Sequence, residues 1–381
     1  MLKLDPQSRV DNGWSTLRTA FSGTGDSDHR LLHHYITVFP TLSCGTKSRE
    51  NFHTWGTCIR RHLIDTDFIL HAVLATSSLH LSFLNGDNTE VHVAAAMRHQ
   101  NEAISRIKPV LENLSPQNCE TAFAFSGLTV VFGFALPLVL ASPAMHLHDP
   151  LGEIKQIINL CKGARECYRI GFVADVQTKL IPYIRNSVAT AVEEPVPDAE
   201  ASLKSIRLDA ISSILDEETR STYDFVTDRL RGIIRRNASK SNKLNFVLNW
   251  PGMLPPSFVD ALERREDVAL LIWSHWIAVV HESIGYQWWA KHWGPSTLQS
   301  IWQSVDPTWQ SYLEWPLEQV GLIKRSMEAA FGDPMLNRQH GQKDSYVQIA
   351  DGVIHSAMEH EGKTHMHLIG SRKSGDDTGG P

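Results

Sequence analysis

The sequence predicts an all-α fold, with a single large helical domain. Between residues 31 and 330, apolar side chains recur at the three- and four-residue intervals of an amphipathic helix. No run alternates apolar and polar residues in the way that a half-buried strand does. With 42% hydrophobic and 20% charged residues, the composition is that of a globular protein. We therefore expect a helical domain over residues 29–330, with a polar lead-in at 1–28 and a polar, partly disordered tail at 331–381.

The predicted helices follow one another along the domain. After an opening helix near residue 31, the apolar spacing predicts a helix within 62–84, with Asp65 or Thr66 as its N-cap. It also predicts helices over 90–113, 122–142, 151–172, 203–215, 217–235 and 258–290, and a last set of helices over 296–330. Two proline-bearing stretches, 193–202 and 249–258, are typical of connections, because proline has no amide hydrogen and a fixed φ.

The most apolar segment, residues 122–145, is long enough to raise the question of a membrane span. It is interrupted by Gly127, Gly133, Pro137 and Pro143, and it has no basic flank on one side. A helix that is apolar on every face is typical of the centre of a large soluble core. We therefore predict a central core helix and no membrane span.

Cysteine spacing and net charge limit the function. No two of the five cysteines (Cys44, Cys58, Cys119, Cys161 and Cys167) are separated by only two residues, so zinc-finger and zinc-cluster spacings are absent. We expect buried, reduced thiols, as in cytosolic and nuclear proteins. The net charge is −6 and the pI is about 6.3, which provides no basic footprint for phosphates. We therefore expect no direct DNA binding by this chain.

Eight segments carry a resemblance to a known family. In chain order they are LLHHYITVFPTLS (31–43), FILHAVLATSSLHLSFL (68–84), RHQNEAISRI (98–107), NCETAFAFSGLTVVFGFA (118–135), NWPGMLPPSFVDAL (249–262), ALLIWSHWIAVVHES (269–283), WWAKHWG (288–294) and LEWPLEQVG (313–321). Together they resemble the carboxy-terminal regulatory domain of fungal binuclear-zinc-cluster (Zn2Cys6) transcription factors, in the sterol-uptake-control-like branch.

This resemblance implies a helical regulatory domain that binds a hydrophobic small molecule, sterol- or terpenoid-like, and that controls transcription. It also implies a nuclear or cytoplasmic location and a protein partner or homodimer. The six-cysteine cluster that binds DNA in the family is absent from the sequence, and His292 replaces the glycine of the family's WW-x-x-GW pattern. A regulator of this kind needs no cofactor.

Two other functions compete with this interpretation. One is an atypical magnesium-dependent sesquiterpene cyclase, which would act on farnesyl diphosphate in a fungal secondary-metabolite pathway on the same scaffold. Asp224 and Asp228 lie on one helix face and can hold magnesium, and Lys291 lies among tryptophans as a catalytic anchor for a diphosphate. A charged surface and a lysine at a helix end also explain these residues. The other is a dimerising or scaffolding protein without a ligand. The sequence does not decide whether the chain is an enzyme.

Both ligand-binding interpretations use one predicted pocket. We place it between the apolar segment 122–140 and the aromatic segment 269–293, because both are suited only to an interior. A polar group, His281 or Lys291, would orient the ligand. The predicted lining residues are Phe125, Phe132, Trp273, Trp276, His281, Trp289 and Lys291.

Overall fold

The computed structural model describes most of the predicted domain. Its described residues are 26–37, 49–63, 65–85, 88–140, 149–178, 180–182, 184, 192–238 and 247–323. The chain divides into two compact units, Met1–Pro316 and Leu317–Pro381. The predicted tail and most of the predicted lead-in lie outside the described residues, so both stay predictions.

Every regular element among these residues is helical, so the predicted all-α fold is confirmed. The first six helices are α1 (Asp26–Thr37), α2 (Arg49–His62), α3 (Asp67–Asn85), α4 (Thr89–Glu112), α5 (Cys119–Leu140) and α6 (Ile154–Val173). The next six are α7 (Pro197–Ser205), α8 (Glu217–Ala238), α9 (Pro256–Glu263), α10 (Asp267–Ile284), α11 (Trp293–Ser304) and α12 (Glu314–Gln319). Single turns of π- or 3-10 helix occur at Ile206–Ala210, Ile211–Ser213 and Pro251–Met253, and a longer 3-10 segment at Pro307–Leu313.

The core of the first unit is organised around α5. This helix contacts α2, α3, α4 and α6, and each of its residues is buried or half-buried. Because α5 is apolar on every face, covering all its sides stabilises the fold by about 25 cal/mol per Å² of apolar surface removed from water. The predicted core helix is therefore present, although it begins at Cys119 and ends at Leu140.

Helix α3 is the second strongly apolar element, and it packs against α1, α4 and α5. Ile69, Ala72, Val73 and Leu79 are fully buried. The apolar helix predicted within 62–84 is present: it begins at Asp67, directly after Thr66, and His62 is the last residue of α2.

Two described helical windows, Asp67–Leu84 and Cys119–Leu140, are long and apolar enough to cross a membrane. Within the fold, 72% of the first window and 56% of the second are buried. Core helices of water-soluble proteins meet the same criterion, so these windows are weak evidence for a membrane span.

The predicted helix over 258–290 is wrong, because the structure has two helices there. The backbone turns after α9, where Arg265 has a φ of 57° and its amide donates to the Leu262 carbonyl at 3.0 Å. Helix α10 then ends before Gly285. A Cβ on Gly285 would lie 2.6 Å from Nδ1 of His281, so only glycine fits at this turn.

The boundaries around α7 also differ from the prediction. The stretch 193–202 is not entirely a connection, because Pro197 begins α7. Proline is well suited to the first position of a helix, where its missing amide hydrogen has no intrahelical acceptor. The predicted helix 203–215 continues α7 as a π turn and a 3-10 turn.

The last predicted set of helices, 296–330, is also interrupted. After α11, the side chain of Asp306 accepts from the amide of Thr308 at 2.9 Å, and Pro307 begins a 3-10 segment. In the second unit, residues 317–319 are helical and 320–323 form a turn, in which the amide of Leu322 donates to the carbonyl of Leu317 at 3.0 Å.

Close packing of α2 on α5 gives a test of this core. A Cβ on Gly127 would lie 2.8 Å from the ring of Trp55, which also contacts Phe123 with ring centroids 5.5 Å apart. We expect Gly127→Ala to lower the free energy of unfolding, although alanine favours a helix by about 1 kcal/mol over glycine. Gly163→Ala on α6 is the matched control, because no atom lies within 4 Å of its added Cβ. The control should be stabilised in urea unfolding, and equal effects of the two substitutions would contradict this packing.

Candidate functional site

Helix α10 contributes two tryptophans to an aromatic cluster in the protein interior. Trp273 and Trp276 lie three residues apart, which puts both on one helix face, with ring centroids 4.3 Å apart. Trp250, which precedes the 3-10 turn, lies 5.7 Å from Trp273 and 6.0 Å from Trp276. All three are buried. Together with Trp289, Trp293 and Phe134, they form what we call the tryptophan cluster.

Phe134 joins α5 to the tryptophan cluster. Its ring centroid lies 4.8 Å from that of Trp293 and 5.7 Å from that of Trp289. Trp293 in turn lies 5.9 Å from Trp276. These pairs are edge-to-face, the arrangement that aromatic quadrupoles favour. The cluster therefore links the central helix α5 to the aromatic helix α10.

The indole N–H groups of the cluster fall into two classes. Trp250 donates to the carbonyl of Val226 at 3.2 Å, and Trp276 donates to that of Val247 at 2.8 Å. The indole nitrogens of three others are buried and have no acceptor among the described residues; they belong to Trp273, Trp289 and Trp293. A buried polar group without a partner costs about 1–3 kcal/mol, so each of these donors calls for an acceptor.

His281 lies beside the same cluster. A Cβ on Gly294, next to Trp293, would lie 3.0 Å from Nδ1 of His281. This nitrogen is buried and has no hydrogen-bond partner among the described residues. Burial, and then the nearby His292, lower the pKa of His281, so the imidazole is neutral at pH 7. The polar atoms around the cluster are therefore uncharged.

The structure brings part of the predicted pocket together. Trp273, Trp276 and Trp289 belong to the tryptophan cluster, and His281 lies at its edge. Phe125 instead contacts Phe68 of α3, with centroids 5.7 Å apart. The predicted residues outside the cluster are Phe132, which is buried, and Lys291, which is exposed. The set as a ligand-binding site stays a prediction.

Three cluster residues, Phe134, Trp250 and Trp293, were not among the predicted lining residues, and Phe134 is the one on α5. Phe125 and Phe132 are seven residues apart and share a face of α5, whereas Phe134 lies about 200° around the helix from Phe132. A helix that is apolar on every face gives no periodic signal for the side that meets a given neighbour. Only the tertiary contacts identify Phe134.

The two aspartates that suggested a magnesium-dependent cyclase form ion pairs with arginines. Nε of Arg207 lies 2.6 Å from a carboxylate oxygen of Asp224, and its Nη1 lies 3.1 Å from one of Asp228. Arg231 adds a second ion pair to Asp228 at 3.3 Å. Magnesium would have to displace these cations from both carboxylates. With Lys291 exposed as well, the cyclase alternative gains no support from the structure.

His275 on α10 is a core residue whose two ring nitrogens both have hydrogen-bond partners. Its Nδ1 lies 2.8 Å from the carbonyl of Leu271, which can only accept, so Nδ1 carries the proton. Nε2 then accepts from the hydroxyl of Ser202 at 2.8 Å, and the ring stacks on Trp315 with centroids 5.2 Å apart. Burial lowers the pKa of His275 to about 4. Both nitrogens are used, which leaves none for a metal or a substrate.

An open pocket of about 460 Å³ lies elsewhere, at the start of α10. Tyr223 donates to Glu266 in its wall at 2.9 Å. The lining residues are Ile214, Thr219, Tyr223, Arg265, Glu266, Asp267, Val268 and Trp309. Because three consecutive lining residues, at positions 265–267, are charged, this pocket is a poor match for an apolar ligand.

The fold and the cluster define a large all-α domain whose core joins an apolar central helix to a set of buried tryptophans. Residues 30–139, which run from α1 into α5, match the family model for the fungal specific transcription factor domain. The resemblance is thereby confirmed over this stretch, and it supports a role in transcription regulation. No family model of the six-cysteine zinc cluster matches. No curated protein matches the chain.

The two classes of indole N–H group predict different losses of folding stability when the tryptophan is replaced. Trp276→Phe removes a 2.8 Å hydrogen bond and leaves the buried carbonyl of Val247 without its donor. Trp293→Phe removes a donor that has no acceptor among the described residues, and it removes the same ring volume. We expect Trp276→Phe to lower the free energy of unfolding by about 1–3 kcal/mol more than Trp293→Phe. Equal losses in urea unfolding would contradict the assignment of the donors.

The buried His275 predicts a loss of stability in mild acid. Its folded-state pKa of about 4 lies below the ordinary value of 6.5, so the unfolded chain takes up a proton that the folded chain does not. The free energy of unfolding should therefore fall as the pH falls from 6.5 towards 4, by about 1.4 kcal/mol per pH unit for this histidine. His275→Phe keeps an aromatic ring but cannot titrate. Urea unfolding of this variant at several pH values should show a shallower slope, and an unchanged slope would contradict the prediction.

Proposed function

We propose that this chain is a regulatory domain of the fungal transcription factor type, and that its tryptophan cluster binds a neutral hydrophobic small molecule. The ligand would be sterol- or terpenoid-like and would carry a hydroxyl group. The observation that carries this proposal is the set of buried indole donors that have no acceptor among the described residues, beside a neutral imidazole nitrogen. An apolar ligand with one hydroxyl would supply what these groups lack.

The hydroxyl suits both kinds of group. It accepts a hydrogen bond from an indole N–H, and it donates its own hydrogen to an unprotonated ring nitrogen such as Nδ1 of His281. The side chains around these groups are aromatic, and the lowered pKa of His281 keeps cationic charge away at pH 7. A charged ligand such as a diphosphate would find no counter-charge among Trp289, Trp293 and Phe134.

Regulation would follow from the position of α5. Through Phe134, this helix connects the cluster to the stretch that matches the transcription factor family. A ligand that binds only the folded cluster stabilises that packing by mass action. We propose that the regulator acts in the nucleus through a protein partner or a second copy of itself, rather than by contacting DNA.

A binding experiment with a matched sterol pair tests the proposal. Ergosterol, delivered from cyclodextrin, should quench the tryptophan fluorescence saturably and raise the melting temperature. Cholestane has a sterol skeleton without the hydroxyl, and it should bind at least about tenfold more weakly because the donors stay unpaired. Farnesyl diphosphate with magnesium is the charged comparison, and release of diphosphate would favour the cyclase alternative.

Substitutions locate the ligand within the cluster. Trp293→Phe removes an indole donor that has no acceptor, so it should weaken ergosterol binding by about tenfold. Trp250→Phe is the matched control, because its donor is already bonded to Val226, and ergosterol affinity should change little. No saturable ergosterol signal, or equal binding of ergosterol and cholestane, would refute the proposed function.

A further inference from the structure

Three side chains with different metal-binding atoms converge where α2 meets α5. Cys58 and His62 lie four residues apart on α2 and therefore on the same helix face. Glu120 lies in the first turn of α5. The thiol sulfur, an imidazole nitrogen and a carboxylate oxygen all lie within 4.8 Å of one another. The sequence did not reveal this group, because Glu120 lies 58 positions after His62 and a cysteine four residues before a histidine is not by itself a metal-binding pattern.

The packing of the two helices holds this group together. Trp55, one turn before Cys58, lies against Phe123 and over the bare backbone of Gly127. Phe123 and Gly127 follow Glu120 by three and seven residues, so all three lie on one face of α5. The same helix contact that closes this part of the core therefore directs Glu120 towards α2.

The three side chains do not form hydrogen bonds with one another. Glu120 accepts from the amide of Leu180 at 2.8 Å through Oε1. Its Oε2 lies 3.6 Å from Nε2 of His62, which is longer than a hydrogen bond. That nitrogen is buried and has no hydrogen-bond partner among the described residues. Cys58 is 4% exposed and Glu120 is 5% exposed, so the side chains around this nitrogen also lie away from water.

Burial affects the two acidic side chains of this group differently. Burial acts to raise the pKa of Glu120, but the polar groups near it, His62 first among them, outweigh burial and hold the pKa below its usual value. Glu120 is therefore a buried carboxylate. Burial, and then the charge of Glu120, raise the pKa of the Cys58 thiol to about 12, so the thiol keeps its proton while no metal is bound.

We propose that Cys58, His62 and Glu120 bind a zinc ion that fastens α2 to α5. Sulfur, imidazole nitrogen and carboxylate oxygen form the borderline-soft donor set that zinc prefers, whereas magnesium and calcium prefer oxygen alone. In a tetrahedral site these atoms stand about 3.3–3.6 Å apart, so the group has to close by about 1 Å. A water molecule takes the fourth position on the side of His62, whose side chain is 19% exposed.

Binding exchanges a proton for the metal. The Cys58 sulfur loses its proton to solvent and forms the bond to zinc, and the two positive charges of the ion meet one thiolate and one carboxylate. The amide of Leu180 remains on Oε1 of Glu120 and fixes the orientation of the carboxylate, as outer partners do in protein metal sites. The site is structural in this proposal, and it is independent of any ligand at the tryptophan cluster.

Cobalt(II) provides a selective test in the full-length chain. It replaces zinc in tetrahedral sites, and a cysteine ligand gives a thiolate-to-cobalt charge-transfer band in the near ultraviolet. The histidines of the carboxy-terminal stretch after residue 324 can bind metal ions, but that stretch contains no cysteine and gives no such band. The chain, freed of metal with a chelator, should develop the band with one equivalent of cobalt(II) and lose it when zinc is added.

Substitutions assign the band to this group. Cys58→Ala should abolish it, and His62→Gln or Glu120→Gln should weaken cobalt affinity by at least about tenfold. Cys161→Ala is the matched control, because burial alone also raises the pKa of Cys161 to about 12, and the band should remain.

Zinc should also raise the melting temperature of the wild type and of the control, and it should do so less in the three variants. His62→Gln replaces a partly exposed side chain and is expected to fold, so it decides the case if Cys58→Ala does not fold. The proposal is overturned if the wild type shows no thiolate band, if the band persists in Cys58→Ala, or if folded His62→Gln binds cobalt as tightly as the wild type.

Discussion

Helix α5 has no polar face to present to water, so each of its sides has to be covered by another element. Helices α2, α3, α4 and α6 provide that cover, and Phe134 extends it to the tryptophans around α10. The contacts are close where α5 carries glycine. Gly127 admits the ring of Trp55, and a Cβ on Gly133 would lie 2.9 Å from Leu160 of α6. The burial of one helix therefore dictates where four neighbours lie.

Covering so much apolar surface also encloses polar atoms, which must then find partners. His275 has two hydrogen-bond partners, and the indoles of Trp250 and Trp276 each donate to a backbone carbonyl. Other buried polar atoms have no partner among the described residues, and they are spread over several helices, as Ser77, Gln100 and Thr227 show. Two places differ from the rest in what surrounds such an atom: aromatic rings at the tryptophan cluster, and a thiol and a carboxylate where α2 meets α5. These surroundings, rather than the missing partners alone, connect each place to a distinct kind of ligand.

The sequence predicted the helical class and the central helix because apolar periodicity and length are local properties. It did not predict the break at Arg265, because a positive φ at a non-glycine residue has no reliable sequence signal. It also missed Trp250, Trp293 and Phe134 as cluster residues; for Phe134 the reason is that an apolar helix does not mark the face that meets a given neighbour. The group of Cys58, His62 and Glu120 depends on the docking of two helices, which no spacing along the chain records.

The two candidate sites share α5 as a common support. Glu120 lies in its first turn and Phe134 lies fourteen residues later, which is about 21 Å along the helix axis. No proline interrupts the helix between them, since Pro137 comes after Phe134. A straight helix transmits force between its ends, but energetic coupling requires an element with two alternative arrangements. Sites this far apart, with no shared partner, contribute additively to stability. Metal at the start of α5 and a ligand near its end would therefore each stabilise the same packed helix, and neither would alter the affinity of the other unless α5 itself moved between two positions.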